Sequence, residues 1–216
     1  MNPPPRKTRR SQAERSQDSR RKLIEAAIAV LSEAGFAGAA TPLIAERAGV
    51  SRGLMTHHFP TKRDLLVAVV EHLSEQMIAS FKDDFEHDMP SGIRAEIIVD
   101  RIWALYSSNI YRALIQIHVG ASVDPALAGE INEIAERTST AVKEAWRRSL
   151  SARTDIPHEV IDQAGSFLLT QMRGMALQRF FGRPRDYSAQ LRLTQTLFSS
   201  LLSDAKPMKK SKDKIQ

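Results

Sequence analysis

Two adjacent histidines, His57 and His58, follow Thr56 in the stretch "VSRGLMTHHFPTK" spanning residues 50–62. Imidazoles and a hydroxyl this close together serve metal ligation, acid–base chemistry or contact with another polymer. Metal ligation by the pair suits a helix poorly. Successive helical residues point about 100° apart, and two ligands on one face need spacing nearer i, i+4. The chain has no cysteine, which removes thiolate zinc sites, disulfides and cysteine nucleophiles together, so a metal would have to be held by His, Asp or Glu. Neither a His-Glu-x-x-His pair nor a phosphate-cradling glycine loop occurs. No cofactor or metal and no enzyme activity are expected.

Contact with a polyanion fits the placement of charge. The chain carries a net +6; residues 1–66 hold 12 Lys/Arg against 6 Asp/Glu, and the tail from Asp204 holds five lysines against two aspartates. Residues 67–203 therefore carry a net −3. The basic character is terminal, with a near-neutral body between. Hydrophobic residues make up 42% of the 216, enough for a real core. No uninterrupted apolar run nears the roughly 18 residues of a membrane span, and the N-terminal stretch has no apolar core of a signal peptide. A cytoplasmic protein with no membrane partner is expected.

The elements that must position these residues read as helices throughout. Pro3 to Pro5 and the polar run after them predict a flexible basic arm over residues 1–17, in which Arg9 and Arg10 can attract phosphate or enter a minor groove. Leu23, Ile24, Ala27, Leu31 and Ala34 then recur at helical spacing until Gly35. Thr41-Pro42 reads as a cap followed by proline at the first helical position, opening a short helix that ends at Gly49. Ser51 can cap a third helix to about His58, and Leu65, Leu66, Val69, Val70, Leu73 and Met77 describe a long fourth helix from Lys62. After a polar boundary at "KDDFEHDMPSG", helices are predicted over 93–106, 109–122, 125–150, 158–181 and 187–203.

Residues 41–58 meet the demands of a helix-turn-helix, in which two short helices cross closely and the second enters a DNA major groove. Ala45 is small where the helices approach, and Gly49 sits in the turn, where a left-handed backbone costs little. Ile44, Ala48, Val50 and Met55 fall where apolar anchors are needed. Arg52 can read guanine through its forked donor or hold a phosphate, Gly53 lets the backbone approach DNA, and Leu54 can touch a thymine methyl or stay half-buried.

The stretch "RRKLIEAAIAVLSEAGFAGAATPLIAERAGVSRGLMTHHFPTKRDLL" resembles the tetracycline-repressor (TetR) family of bacterial transcription regulators. The likeness lies in Ala-Ala in the first helix, Gly-Phe after it, Ile-Ala-x-x-Ala-Gly-Val-Ser through the turn, and His-Phe-x-x-Lys into the fourth helix. It implies a homodimer on a double-stranded, inverted-repeat operator, with a C-terminal domain that binds a small-molecule effector. Thr41 and Lys62 resemble the family's phosphate clamps, and His58 stands where the family packs the recognition helix and approaches a phosphate. His57 points outward towards base or backbone. Where the family usually has tyrosine this chain has Thr56, whose hydroxyl can still reach a phosphate.

The expected fold is thus all-α: a helix-turn-helix DNA-binding domain over 18–64, a helical ligand-binding and dimerisation domain over 65–204, and a basic tail over 205–216. "GSFLLTQMRGMALQRFF" is apolar nearly all round, as a helix covered by both its own domain and a partner would be. Gly174 permits close approach there, and Leu191, Leu193, Leu197, Leu201 and Leu202 offer a second partner surface. Effector candidates are Trp103, Tyr106, Tyr111, His118, Trp146, Gln171, Met172 and Met175, since aromatics and methionines line adaptable pockets. Together these features predict a ligand-responsive repressor. Two alternatives remain: a helical metalloenzyme using His57, His58, His72 or His118, and an architectural DNA-binding protein without an effector.

Overall fold

Helix α1 (Gln12–Gly38) starts earlier than its apolar spacing suggests. Ser11 Oγ accepts the Glu14 N–H while the Glu14 carboxylate accepts the Ser11 N–H, a reciprocal cap. Arg21 then pairs with Asp18 and Glu25 along the same helix. The expected arm over 1–17 is therefore already helical from Gln12; this first part of α1 is polar, so apolar periodicity does not register it. The computed structural model describes residues 11–86, 95–151, 156–179 and 186–203. The arm up to residue 10, including Arg9 and Arg10, and the 205–216 tail lie outside the described residues.

Gly35 adopts φ 72°, ψ −179° and breaks α1 where the sequence places its end, although helical turns resume to Gly38. Helix α2 (Thr41–Ala48) follows, but Thr41 is not its cap. Ala40 holds that position without a side-chain bond, and Thr41 is the first helical residue with Pro42 second. Gly49 ends α2 at φ 66°, in the left-handed region that a glycine occupies without Cβ strain. Ser51 Oγ caps α3 (Arg52–His58) by accepting the Leu54 N–H at 3.2 Å. Thr61 and Asp64 cap α4 (Lys62–Glu86) reciprocally.

The remaining helices are α5 (Ala95–Tyr106), α6 (Asn109–Ala121), α7 (Pro125–Ser151), α8 (His158–Gln178) and α9 (Ser188–Ser203). No strand occurs among the described residues. One apolar cluster joins the faces of α1 to α4 with Ala113, Ile117 and Ala121 of α6 and Leu127, Ile131 and Ile134 of α7. The other joins α5, α8, α9 and the second half of α7 around Ile98, Trp146, Leu168 and Met172. Packing therefore does not divide at residue 64: Leu65, Leu66, Val69 and Leu73 of α4 belong to the same core as α1. Gly165 lets α8 close on α7, since a Cβ there would stand 2.9 Å from Trp146 Nε1.

Candidate nucleic-acid interface and effector cavity

Helix α3 presents Ser51, Arg52, Gly53, Thr56 and His57 to solvent, with Leu54 and His58 half-buried. Met55 and Phe59 are buried beneath it and anchor it to the core. Thr41, Arg52, Thr56, Thr61 and Lys62 line one shallow hollow where α2, α3 and α4 begin or meet. This concave, donor-lined surface can take a phosphate backbone, while the outer face of α3 stays free for base edges. Thr56 Oγ1 donates to the Arg52 carbonyl at 3.1 Å, so its lone pairs, not its proton, face outward.

Two residues sit differently from the sequence-based expectation. His58 is half-buried, and its Nε2 is buried without a hydrogen-bond partner. Burial, then the charges of His57 and Arg20, hold the His58 imidazole below the usual histidine range, which keeps it neutral. Lys62 turns back into the protein: its Nζ donates to the Phe36 carbonyl at 3.2 Å and lies 4.7 Å from the Phe36 ring centroid. Desolvation holds this ammonium below the usual lysine range. Lys62 thereby ties α4 to the end of α1 while lining the hollow.

Gly49-Val50-Ser51-Arg52-Gly53 has the letters of a hydrolase nucleophile elbow, Gly-x-Ser-x-Gly, but not its geometry. An elbow joins a strand to a helix and holds its serine in a strained backbone. Ser51 lies between two helices at φ −69°, and its Oγ is engaged as the α3 cap. Nor do the histidines converge: His72 lies beside Gln76, and His118 beside the Leu114 carbonyl. Among the described residues no three His, Asp or Glu side chains gather as metal ligands.

Behind the head, α4, α5, α6, α7 and α8 border an open cavity of about 320 Å³. Of the sequence candidates, Tyr106, Tyr111 and His118 line it. Trp103 instead faces a separate, wider cleft near Tyr187, which Tyr106 and Tyr111 also border. Met172 and Met175 are buried in the core that α8 shares with α5, α7 and α9. Trp146 donates to the Ile161 carbonyl at 3.0 Å and borders only a smaller adjoining space of about 170 Å³. Gln171 lines none of these three spaces. The sequence-based choice missed Arg173, which lines both the cavity and the adjoining space, and the polar Ser74, Thr138 and Ser139. Its signal was present: Arg173 is the one charged residue between Asp162 and Arg179.

Residues 23–69 match the model of the bacterial regulatory proteins of the tetR family. The chain is 30% identical over 184 residues to the HTH-type transcriptional regulator CymR of Pseudomonas putida, covering 85% of this chain and 90% of that protein. The chain belongs to the tetR family. The tetR-family fold recurs in a solved transcriptional regulator from Rhodococcus sp. Rha1, at TM-score 0.68 and 22% identity, covering 87% of this chain and 97% of that one. It recurs also in the multidrug binding protein EbrR, complexed with imidazole, at TM-score 0.53 and 22% identity, covering 90% and 98%. This tetR-family protein is accordingly a helix-turn-helix transcriptional regulator, and its family consists of regulators. No helix among the described residues is long and apolar enough to cross a membrane.

Proposed function

We propose that the protein is a cytoplasmic homodimeric repressor that reads an inverted-repeat operator and leaves it when a small molecule fills the cavity behind the head. The observation that carries this is the sharing of helices between cavity and head. Leu114, Ile115 and His118 of α6 line the cavity, while Ala113, Ile117 and Ala121 of the same helix sit in the core of the DNA-binding head. Phe36 at the end of α1 adds a second tie: its N–H donates to Gln116 Oε1 at 3.2 Å. A ligand that moves α6 must therefore disturb the seat of the head. A 100-fold release from DNA needs a differential affinity of about 2.7 kcal/mol between the two arrangements.

Residues 18–64 supply the DNA contacts and 65–204 the ligand and dimer surfaces, although they share a core. Arg52, Gly53, Leu54 and His57 face base edges, while Thr41, Ser51 and Thr56 face phosphate. Phe167 (51% exposed) on α8 and Leu193 (61%) and Leu197 (46%) on α9 support the dimer, being large apolar side chains left in water by a single chain. Leu191 packs inward and the side chains of Leu201 and Leu202 lie outside the described residues. The likeness to EbrR, a multidrug-binding protein, supports a ligand in the helical body.

Selection of bound fragments from genomic DNA tests the reading. An inverted repeat is expected, with half-site centres about 34–36 Å apart or a multiple of that. Arg52→Ala should relax one base position per half-site by roughly 1–3 kcal/mol. An unchanged selected sequence would make Arg52 a phosphate contact, and no sequence preference at all would favour the architectural alternative.

A further inference from the structure

The effector cavity has one fixed cation. Arg173 stands on α8 in an otherwise uncharged stretch, and its guanidinium lines the cavity together with the phenols of Tyr106 and Tyr111. Four other arginines of the body and head have carboxylate partners: Arg21 with Asp18 and Glu25, Arg47 with Glu33, Arg63 with Glu130, Arg147 with Asp162. Arg173 has no such pair among the described residues. No Asp or Glu lines the cavity, and Asp162, at the edge of the adjoining space, is already held by Arg147.

Arg173 is an exposed residue that also lines the cavity, where its guanidinium borders apolar walls with no carboxylate opposite it. Here the walls are Val70, Met77, Leu114, Val142 and Leu169. We propose that the cavity binds a small organic monocarboxylate, its carboxylate held by the Arg173 fork and its apolar body against those walls. The inference rests on the effector reading above and names its ligand class.

The chemistry selects among occupants. A cationic molecule would meet Arg173 with like charge, and a neutral one would gain nothing from the charge of the guanidinium. A doubly charged phosphate would exceed the single cation in the cavity. A planar carboxylate matches the two parallel donors of the fork. Tyr111, whose phenol is pushed up to about 12 chiefly by burial, remains an O–H donor beside it. At about 320 Å³ the space lies at the small end of the roughly 300–1,000 Å³ typical of ligand sites. That size favours one ring or a short chain.

Calorimetry on the full chain, with a panel of aryl and alkyl monocarboxylates each paired with its primary amide, tests this. At least one acid should bind more tightly than its amide by on the order of tenfold, and Arg173→Gln should erase that preference while amide binding reports an intact cavity. Arg173→Lys should keep part of the preference. If no acid outbinds its amide, or if the preference survives in Arg173→Gln, the carboxylate site is wrong. Parallel DNA-release assays separate the two readings. Acids held through Arg173 that never release operator support this site and refute the effector reading; release by neutral molecules alone refutes this site and leaves regulation standing.

Discussion

Gly120 brings α6 close against Phe36 at the end of α1. A Cβ at this position would stand 2.1 Å from Phe36 Cγ and 2.2 and 2.3 Å from its Cδ atoms. Carbon atoms in contact sit about 3.5–4.0 Å apart, so in Gly120→Ala the ring must withdraw by roughly an ångström or more. The ring is not free to do so, because the Phe36 N–H is held by Gln116, its carbonyl by Lys62, and its face by the Lys62 ammonium. Overpacking of this kind costs about 1–3 kcal/mol. Alanine for glycine near the end of α6 returns up to about 1 kcal/mol of helix propensity. The expected net loss is about 1–2 kcal/mol, read as a lower urea midpoint at constant slope. Phe36→Ala alone should also destabilise, by less than the roughly 3–5 kcal/mol of a fully buried phenylalanine, since Phe36 is half-buried. In the double variant the clash no longer exists, so its loss should fall short of the sum of the two singles by at least about 1 kcal/mol. Additivity within about 0.5 kcal/mol would refute the wedge and, with it, the α1–α6 contact as a route from cavity to DNA.

Three further outcomes are expected. A Cβ at Gly53 meets nothing within 4 Å, so Gly53→Ala should leave stability unchanged or raise it by up to about 1 kcal/mol while weakening operator binding in a shift assay; full DNA affinity would remove the close backbone approach. A neutral His58 is favoured in the folded state, because burial and then neighbouring positive charge lower its affinity for a proton. Its contribution to stability is intact above the unfolded value of about 6.5 and is lost as pH falls through the lower folded value. Urea unfolding from pH 8 to 5 should therefore show a loss that His58→Gln blunts, and identical pH profiles would count against it. A Cβ at Gly174 also meets nothing within 4 Å, so Gly174→Trp should fold as a single chain yet scatter light as a monomer and bind operator weakly; a stable dimer would place the interface elsewhere.

Much of the architecture was legible in local order. Ser51 capping α3, Gly49 in the left-handed turn, Gly35 breaking α1 and the starts of α6, α7 and α8 all depend on residues a few positions apart, and the sequence shows those spacings directly. The Ser11–Glu14 cap was equally local, but it opens a polar turn that apolar periodicity does not mark. Other features were decided only when distant segments met. Lys62 is held by a carbonyl 26 residues away, and His58 Nε2 is buried by packing around α3. Met172 and Met175 look like pocket residues by type, yet they are buried in the core that α8 shares with α5, α7 and α9; Arg173, one position after Met172, is rotated about 100° from it and lines the cavity. Capping and periodicity act within one or two turns of chain, and so they are written in the order of residues. The surroundings of a side chain are set by whichever helices pack around it, and the cavity that Arg173 lines is shared by residues at positions 74, 106, 114 and 142.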